Sequence, residues 1–191
     1  MSRAAVISSA AAKKLHRSNR KGEKVMLFKK FGEFDSADEL NRAAAAQLAE
    51  GDTEAIIALA EENGLDKEDA EDYIASGGKL PLAPTAFVAA TGKIRVEAAE
   101  LANKVEIIDD WIMYIQLECE KTEGMSEAVR RKGKSLKGCI EKLLKWSLNN
   151  AQPVDPEILK ACKINYKVTL GIPGGKTAKK LIREYYLEGK R

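Results

Sequence analysis

Apolar residues recur along this chain at three- and four-residue steps, broken by Gly, Pro and Asn punctuation, and strict alternation is scarce. That pattern predicts helices and leaves little room for sheet. The structured part begins at Val25-Met26-Leu27-Phe28, followed by Phe31 and Phe34, as either a short strand or an extended segment packed on helices. Ser36-Ala37-Asp38-Glu39 then reads as a capping box, in which Ser36 accepts from the Glu39 amide while Glu39 reaches back. The Ala-rich helix it opens runs to about Glu50, where Gly51 stops it. Thr53 or Asp52 caps a second helix with Ala55, Ile56, Leu59 and Ala60 on its apolar face, ended by Asn63-Gly64. Asp66 caps a third through Tyr73 and Ile74, closed by Gly77-Gly78.

Residues 77–93 hold Pro81, Pro84, Gly77, Gly78 and Gly92 and read as a linker with at most one helical turn. A long amphipathic helix is expected from about Arg95 to Lys121. Its buried stripe would be Leu101, Val105, Ile108, Ile112 and Ile115, widened by Trp111 and Tyr114. A short basic helix follows from Ser126 to Lys132. Ser135 caps a stronger one that turns Leu136, Ile140, Leu143, Leu144 and Leu148 inward. Asp155-Pro156-Glu157 places an N-cap before Pro at the first helical position. Residues 166–170 suit a short strand, and Thr177 is read as the cap of a last helix with Leu181, Ile182, Tyr185 and Tyr186. Core is the expected home of Met113 and Trp146 as well.

The fold class is therefore mainly α, a multi-helix protein with minor strand content. Four regions follow: a basic tail over 1–24, a small acidic helical subdomain over 25–76, the 77–93 linker, and a basic helical region over 94–191. A chain of 191 residues with 45% hydrophobic composition can bury a core of ordinary size. No apolar run approaches the roughly 20 residues a membrane helix requires. The basic residues Lys13, Lys14, Arg17, Arg20 and Lys21 follow an Ala-rich patch in an order unlike a signal peptide. Cys119, Cys139 and Cys162 are odd in number and far apart, which suits reduced thiols packed like small hydrophobes in a cytoplasmic protein.

Charge changes the picture more than composition does. The net +3 conceals +8 over residues 1–32, −12 over 33–72, −3 over 73–120 and +10 over 121–191. Such sorting produces strong local potentials that steer association with charged partners. Two stretches become candidate interfaces. Glu61, Glu62, Glu68, Asp69, Glu71 and Asp72 are candidate partner-binding residues, as an imitation of a phosphate backbone or as a solvated face. Arg130, Arg131, Lys132, Lys134 and Lys137 are candidate nucleic-acid contacts, which would neutralise phosphates. The acidic stretch could instead be an intramolecular counterpart to the basic C-terminal half, and the basic stretch an exposed loop that keeps the protein soluble.

Catalytic chemistry finds little footing. Gly171-Ile172-Pro173-Gly174-Gly175-Lys176-Thr177 resembles a phosphate-binding P-loop, but Leu170 occupies the position that requires Gly, and about fifteen residues remain after it. A turn before a helix is the better reading. The sole histidine, His16, lies in the basic tail, which disfavours Ser-His-Asp, Cys-His and His-ligated metal sites. No enzyme activity, metal or cofactor is expected.

Three runs carry a family resemblance: residues 25–47 (Val25 to Gln47), 59–74 (Leu59 to Ile74) and 128–136 (Ala128 to Leu136). They resemble proteins grouped with the anti-CRISPR inhibitors of the type II RNA-guided DNA nuclease. The C-terminal region resembles the PcfK-like proteins of conjugative elements through Lys134-Ser135, Cys139-Ile140, Gly171-Ile172-Pro173 and Glu184-Tyr185-Tyr186. The similarity spans roughly residues 25–188. It implies a non-enzymatic protein, in the cytoplasm of a bacterial host, that binds the guide-loaded nuclease and blocks target cleavage. The alternative is a DNA-binding accessory protein of a mobile element. No site residue is carried over from the resemblance.

Overall fold

The computed structural model describes residues 28–188. The basic tail, His16 and Val25 to Leu27 lie outside the described residues. The chain is mainly helical. Its elements are α1 (Ala37–Glu50), α2 (Thr53–Glu62), α3 (Lys67–Ala75), α4 (Ala86–Ala99), α5 (Glu106–Lys121), α6 (Met125–Arg130), α7 (Leu136–Asn149), β1 (Gln152–Pro153), α8 (Pro156–Ala161), β2 (Thr169–Leu170) and α9 (Gly175–Leu187). The two short strands pair antiparallel, Gln152 opposite Leu170 and Pro153 opposite Thr169.

The helix starts follow from side chains that satisfy the free amides of a first turn. Ser36 accepts from the Glu39 amide, Asp52 from Ala55, Thr85 from Val88, Ser135 from Gly138 and Asp155 from Glu157. Glu39 completes the first cap one residue upstream of expectation, accepting from the Asp35 amide at 2.8 Å. Asp66 stands at the start of α3 without a capping bond and instead meets Arg95 at 2.8 Å. Thr177 is inside α9, whose cap position is Gly174.

Two cores form, and α4 serves both. The first gathers Leu40 and Ala44 of α1, Ile56, Leu59 and Ala60 of α2, Ala70 and Tyr73 of α3, and Leu82, Ala83 and Ala89. The second gathers Ala90 and Ile94 of α4, Trp111 and Ile115 of α5, and Met125, Ala128 and Val129 of α6. It is completed by Leu136, Cys139, Ile140 and Leu143 of α7 and by Ala178, Leu181, Ile182 and Tyr186 of α9. In-register burial of Ala89 and Ala90 on adjacent faces of one helix therefore joins the acidic and basic regions.

That arrangement revises the expected linker over 77–93. Leu82 and Ala83 are buried, Asn41 holds the Ala83 backbone at both its amide and its carbonyl, and α4 already runs from Ala86. Gly92 is a contact glycine rather than a breaker. A Cβ on it would collide with the Asn63 carbonyl, and one on Gly64 (φ 69°) would collide with the Gly92 carbonyl. The α2–α3 turn thus lies directly on the α4 backbone, at a separation only two glycines allow. The expected single helix from Arg95 to Lys121 is divided between α4 and α5 by residues 100–105, and Val105 is an exposed cap position.

Leu144 and Leu148, expected inward, are exposed, as is Met113, whereas Trp146 packs half-buried on the second core. Cys119 and Cys139 are buried and Cys162 is exposed, so the packed-thiol reading fails for Cys162. Burial pushes the Cys119 thiol up to about 11 and the Cys139 thiol up to about 12, which leaves both poor nucleophiles.

Candidate functional site

The six candidate carboxylates sit at the end of α2 and along α3. Ala70 and Tyr73 turn into the core, and that fixes the outward direction of Glu68, Glu71 and Asp72. Glu61, Glu68, Glu71 and Asp72 are exposed and Asp69 is half-buried. Glu71 meets Lys67 at 2.9 Å across one helical turn, an exposed pair of small energetic weight. Glu62 leaves the set. Its two carboxylate oxygens accept from the Lys30 and Phe31 amides at 2.8 and 3.1 Å, so it fastens the incoming chain to α2.

The basic stretch is more strongly revised. Arg130, expected to face nucleic acid, is fully buried. Its guanidinium donates to the Ala89 carbonyl at 3.3 Å and the Asn63 side chain at 3.2 Å, and its Nε has no partner among the described residues. Burial pulls its affinity for the proton below the ordinary value, opposed by Glu33, Glu97, Asp35 and Glu39. Lys134 also turns inward: its Nζ donates to the Tyr185 and Glu188 carbonyls and lies over the Tyr185 ring, where a cation satisfies the end of α9. Lys132 is exposed but faces Asp35 at 3.6 Å and Glu39 at 3.8 Å. Its amide also donates to Asp35, and that bond comes first among the causes holding the Asp35 carboxyl below the usual range. Arg131 and Lys137 are exposed and make no ion pair among the described residues.

Between the two stretches lies a buried polar network that sequence reasoning missed. Lys93 of α4 is fully buried and its Nζ reaches the Glu33 carboxylate and the Lys134 carbonyl, the latter at 2.8 Å. One turn on, Glu97 accepts from the Leu136 amide at 2.6 Å and so holds the first residue of α7. Burial raises the Glu97 carboxyl above its usual range, against that bond and the charge of Lys93. Asn63 at the end of α2 joins in by accepting from Arg130. Lys93 and Glu97 flanking Ile94 at helical spacing were the available signal, hidden because the expected boundary between linker and helix fell between them.

This network is structural. Its groups are mutually engaged, and it consumes the carboxylates Glu33, Asp35 and Glu39 against the basic loop. Of the six candidate carboxylates, Glu61, Glu68, Glu71 and Asp72 face solvent, with the half-buried Asp69 at their edge. Gly171 to Thr177 forms no phosphate cradle: the preceding strand has two residues in an antiparallel pair, and Pro173 is buried. No protein-family model, curated protein or solved structure matches the chain. No helix among the described residues is long and apolar enough to cross a membrane.

Proposed function

We propose that the chain acts by binding rather than catalysis, and that it inhibits a guide-loaded type II RNA-guided DNA nuclease by engaging it through the acidic surface at the end of α2 and along α3. The observation that carries this reading is the placement of Glu61, Glu68 and Asp72: exposed and without an ion pair among the described residues, while Glu33, Asp35 and Glu39 are paired with lysines of the same chain. Nucleases of this class hold guide and target in positively charged channels, for which a rigid carboxylate array is a competing ligand. The resemblance of residues 25–47, 59–74 and 128–136 supports the same partner.

The DNA-binding alternative is weakened by the fate of the basic stretch. Arg130 and Lys134 are engaged inside the molecule, and Lys132 shares its charge with Asp35 and Glu39. Arg131 and Lys137 remain as outward contacts. The test is co-purification with the guide-loaded nuclease at moderate salt, paired with a target-cleavage assay. Stable association and lost cleavage are expected. Undiminished cleavage with no association overturns the reading, and a gel shift abolished by Arg131→Ala with Lys137→Ala would put the DNA-binding reading in its place.

A further inference from the structure

Residues 144–172 form an arm in which no residue is buried, although helix, paired strands and turn bonds organise much of its backbone. β1 and β2 pair, and beyond them the Val154 amide donates to the Val168 carbonyl at 2.9 Å. Asp155 caps α8, and a Schellman motif closes it: the Lys163 amide donates to the Lys160 carbonyl and the Ile164 amide to that of Leu159. Lys163 takes the left-handed conformation (φ 58°) that this motif ordinarily gives to glycine. The base of the arm is pinned where Gly171 meets the end of α7, since a Cβ there would collide with the Ser147 carbonyl.

A segment held this firmly still leaves large apolar side chains in water. Leu148 is 79% exposed, Tyr166 67%, Leu170 62% and Ile172 58%. Exposed apolar side chains concentrated in one segment mark an interaction surface, and Tyr166 is the one of these four that lines a groove. On one side of the arm lies an open groove with the half-buried Val154, Leu159 and Ile164 along its floor and the exposed Tyr166, Lys160 and Lys167 at its rim. The Lys160 ion pair, with Glu157, is long at 3.9 Å and open to solvent, and Lys167 has none among the described residues.

We propose that this groove docks a segment of a partner protein that carries large apolar side chains flanked by carboxylates. Charge complementarity selects that occupant. A second copy of the groove would bring two lysine rims into one interface, and the lining of neither copy includes a carboxylate to pair with them. Nucleic acid would use the lysines and leave the aliphatic floor uncovered, with Tyr166 as the one aromatic platform in the groove. An acidic–apolar segment satisfies both the floor and the rim, and Tyr166 supplies the rigid amphipathic anchor typical of such sites. The site is separate from the carboxylates of α2 and α3 and stands whether or not their partner is a nuclease.

The test uses the full chain and a fluorescein-labelled peptide in which leucine and phenylalanine alternate with aspartate and glutamate, read by fluorescence anisotropy. Saturable binding is expected. Lys160→Glu with Lys167→Glu should weaken it at least about tenfold, and so should Tyr166→Ala. Arg131→Glu should leave it unchanged, and a peptide with lysine in place of its acids should not bind. All substituted side chains are exposed, and unchanged circular dichroism confirms folding. Absence of saturable binding, or binding indifferent to the arm variants, overturns the proposal. So does a groove-dependent response to a single-stranded oligonucleotide, to phosphatidylserine vesicles or to self-association, with the acidic peptide unbound.

Discussion

Replacing Arg130 by Ala separates an interior role from a surface one. The side chain is fully buried and donates to Ala89 and Asn63, with Glu33 and Glu97 among the charges that surround it. Truncation leaves the buried Asn63 Oδ1 without its donor, removes a second donor from the Ala89 carbonyl, and takes away a compensating cation near the buried Glu97. Breaking a buried charged network by deleting one partner costs about 3–5 kcal/mol. That is a large part of the roughly 5–15 kcal/mol that holds a domain folded. At about 2–4 °C per kcal/mol for a chain of this size, the melting temperature should fall by roughly 6–20 °C. Urea denaturation monitored by circular dichroism measures the free energy directly. Arg131→Ala, one residue on and exposed, is the control and should stay within about 0.5 kcal/mol. An Arg130→Ala protein as stable as the parent, with DNA binding lost instead, would refute the reasoning and return Arg130 to the surface.

Gly64→Ala should destabilise by about 2–5 kcal/mol, because it adds a left-handed strain and a collision with the α4 backbone, measurable by the same denaturation. Lys163→Gly should stabilise by about 1 kcal/mol by relieving its left-handed conformation, seen as a raised melting temperature or slower hydrogen exchange in the arm. In the native protein, Ellman's reagent should modify Cys162 rapidly, while Cys119 and Cys139 react on unfolding; three fast thiols would contradict their burial. Asp35 is held low, first by the Lys132 amide. Glu118 is pushed up by burial, but hydrogen bonds from Arg183 and Thr122 and the charges of Arg183 and Lys179 together bring it below its usual range. Both carboxyls therefore ionise more readily folded than unfolded. Their contribution is complete above the unfolded values of about 4 and is lost as pH falls through the folded ones. Asp35→Asn and Glu118→Gln should each flatten that acid-side loss in pH-dependent melting.

Local chemistry made much of the fold legible. Ser36, Asp52, Ser135 and Asp155 announce helix starts through bonds that span two or three residues, and the structure contains each of them. Misreadings arise where partners are distant in sequence. Arg130 stands among Arg131, Lys132 and Lys134 and looks like part of a solvated patch, but its partner Asn63 is 67 residues away. Gly92 resembles punctuation until Gly64 is brought against it. The exposure of Leu144 and Leu148 escaped a reading based on helical period, because the packed face of α7 runs through Leu136, Cys139, Ile140 and Leu143 and continues with Trp146 and Ser147 instead. The candidate carboxylates were legible as types and spacing. Removal of Glu62 depends on a contact with the Lys30 and Phe31 backbone that no pattern encodes.

The central claim is that Glu61, Glu68, Asp69 and Asp72 bind a basic nuclease surface. Its most direct test is a titration of target cleavage by the guide-loaded nuclease against the native chain and a variant with all four changed to Lys, folding verified by melting temperature. The account predicts concentration-dependent inhibition by the native chain, weakening as salt rises, and a loss of potency of at least about tenfold in the variant. Equal inhibition by the two proteins, or none by the native chain, would contradict it.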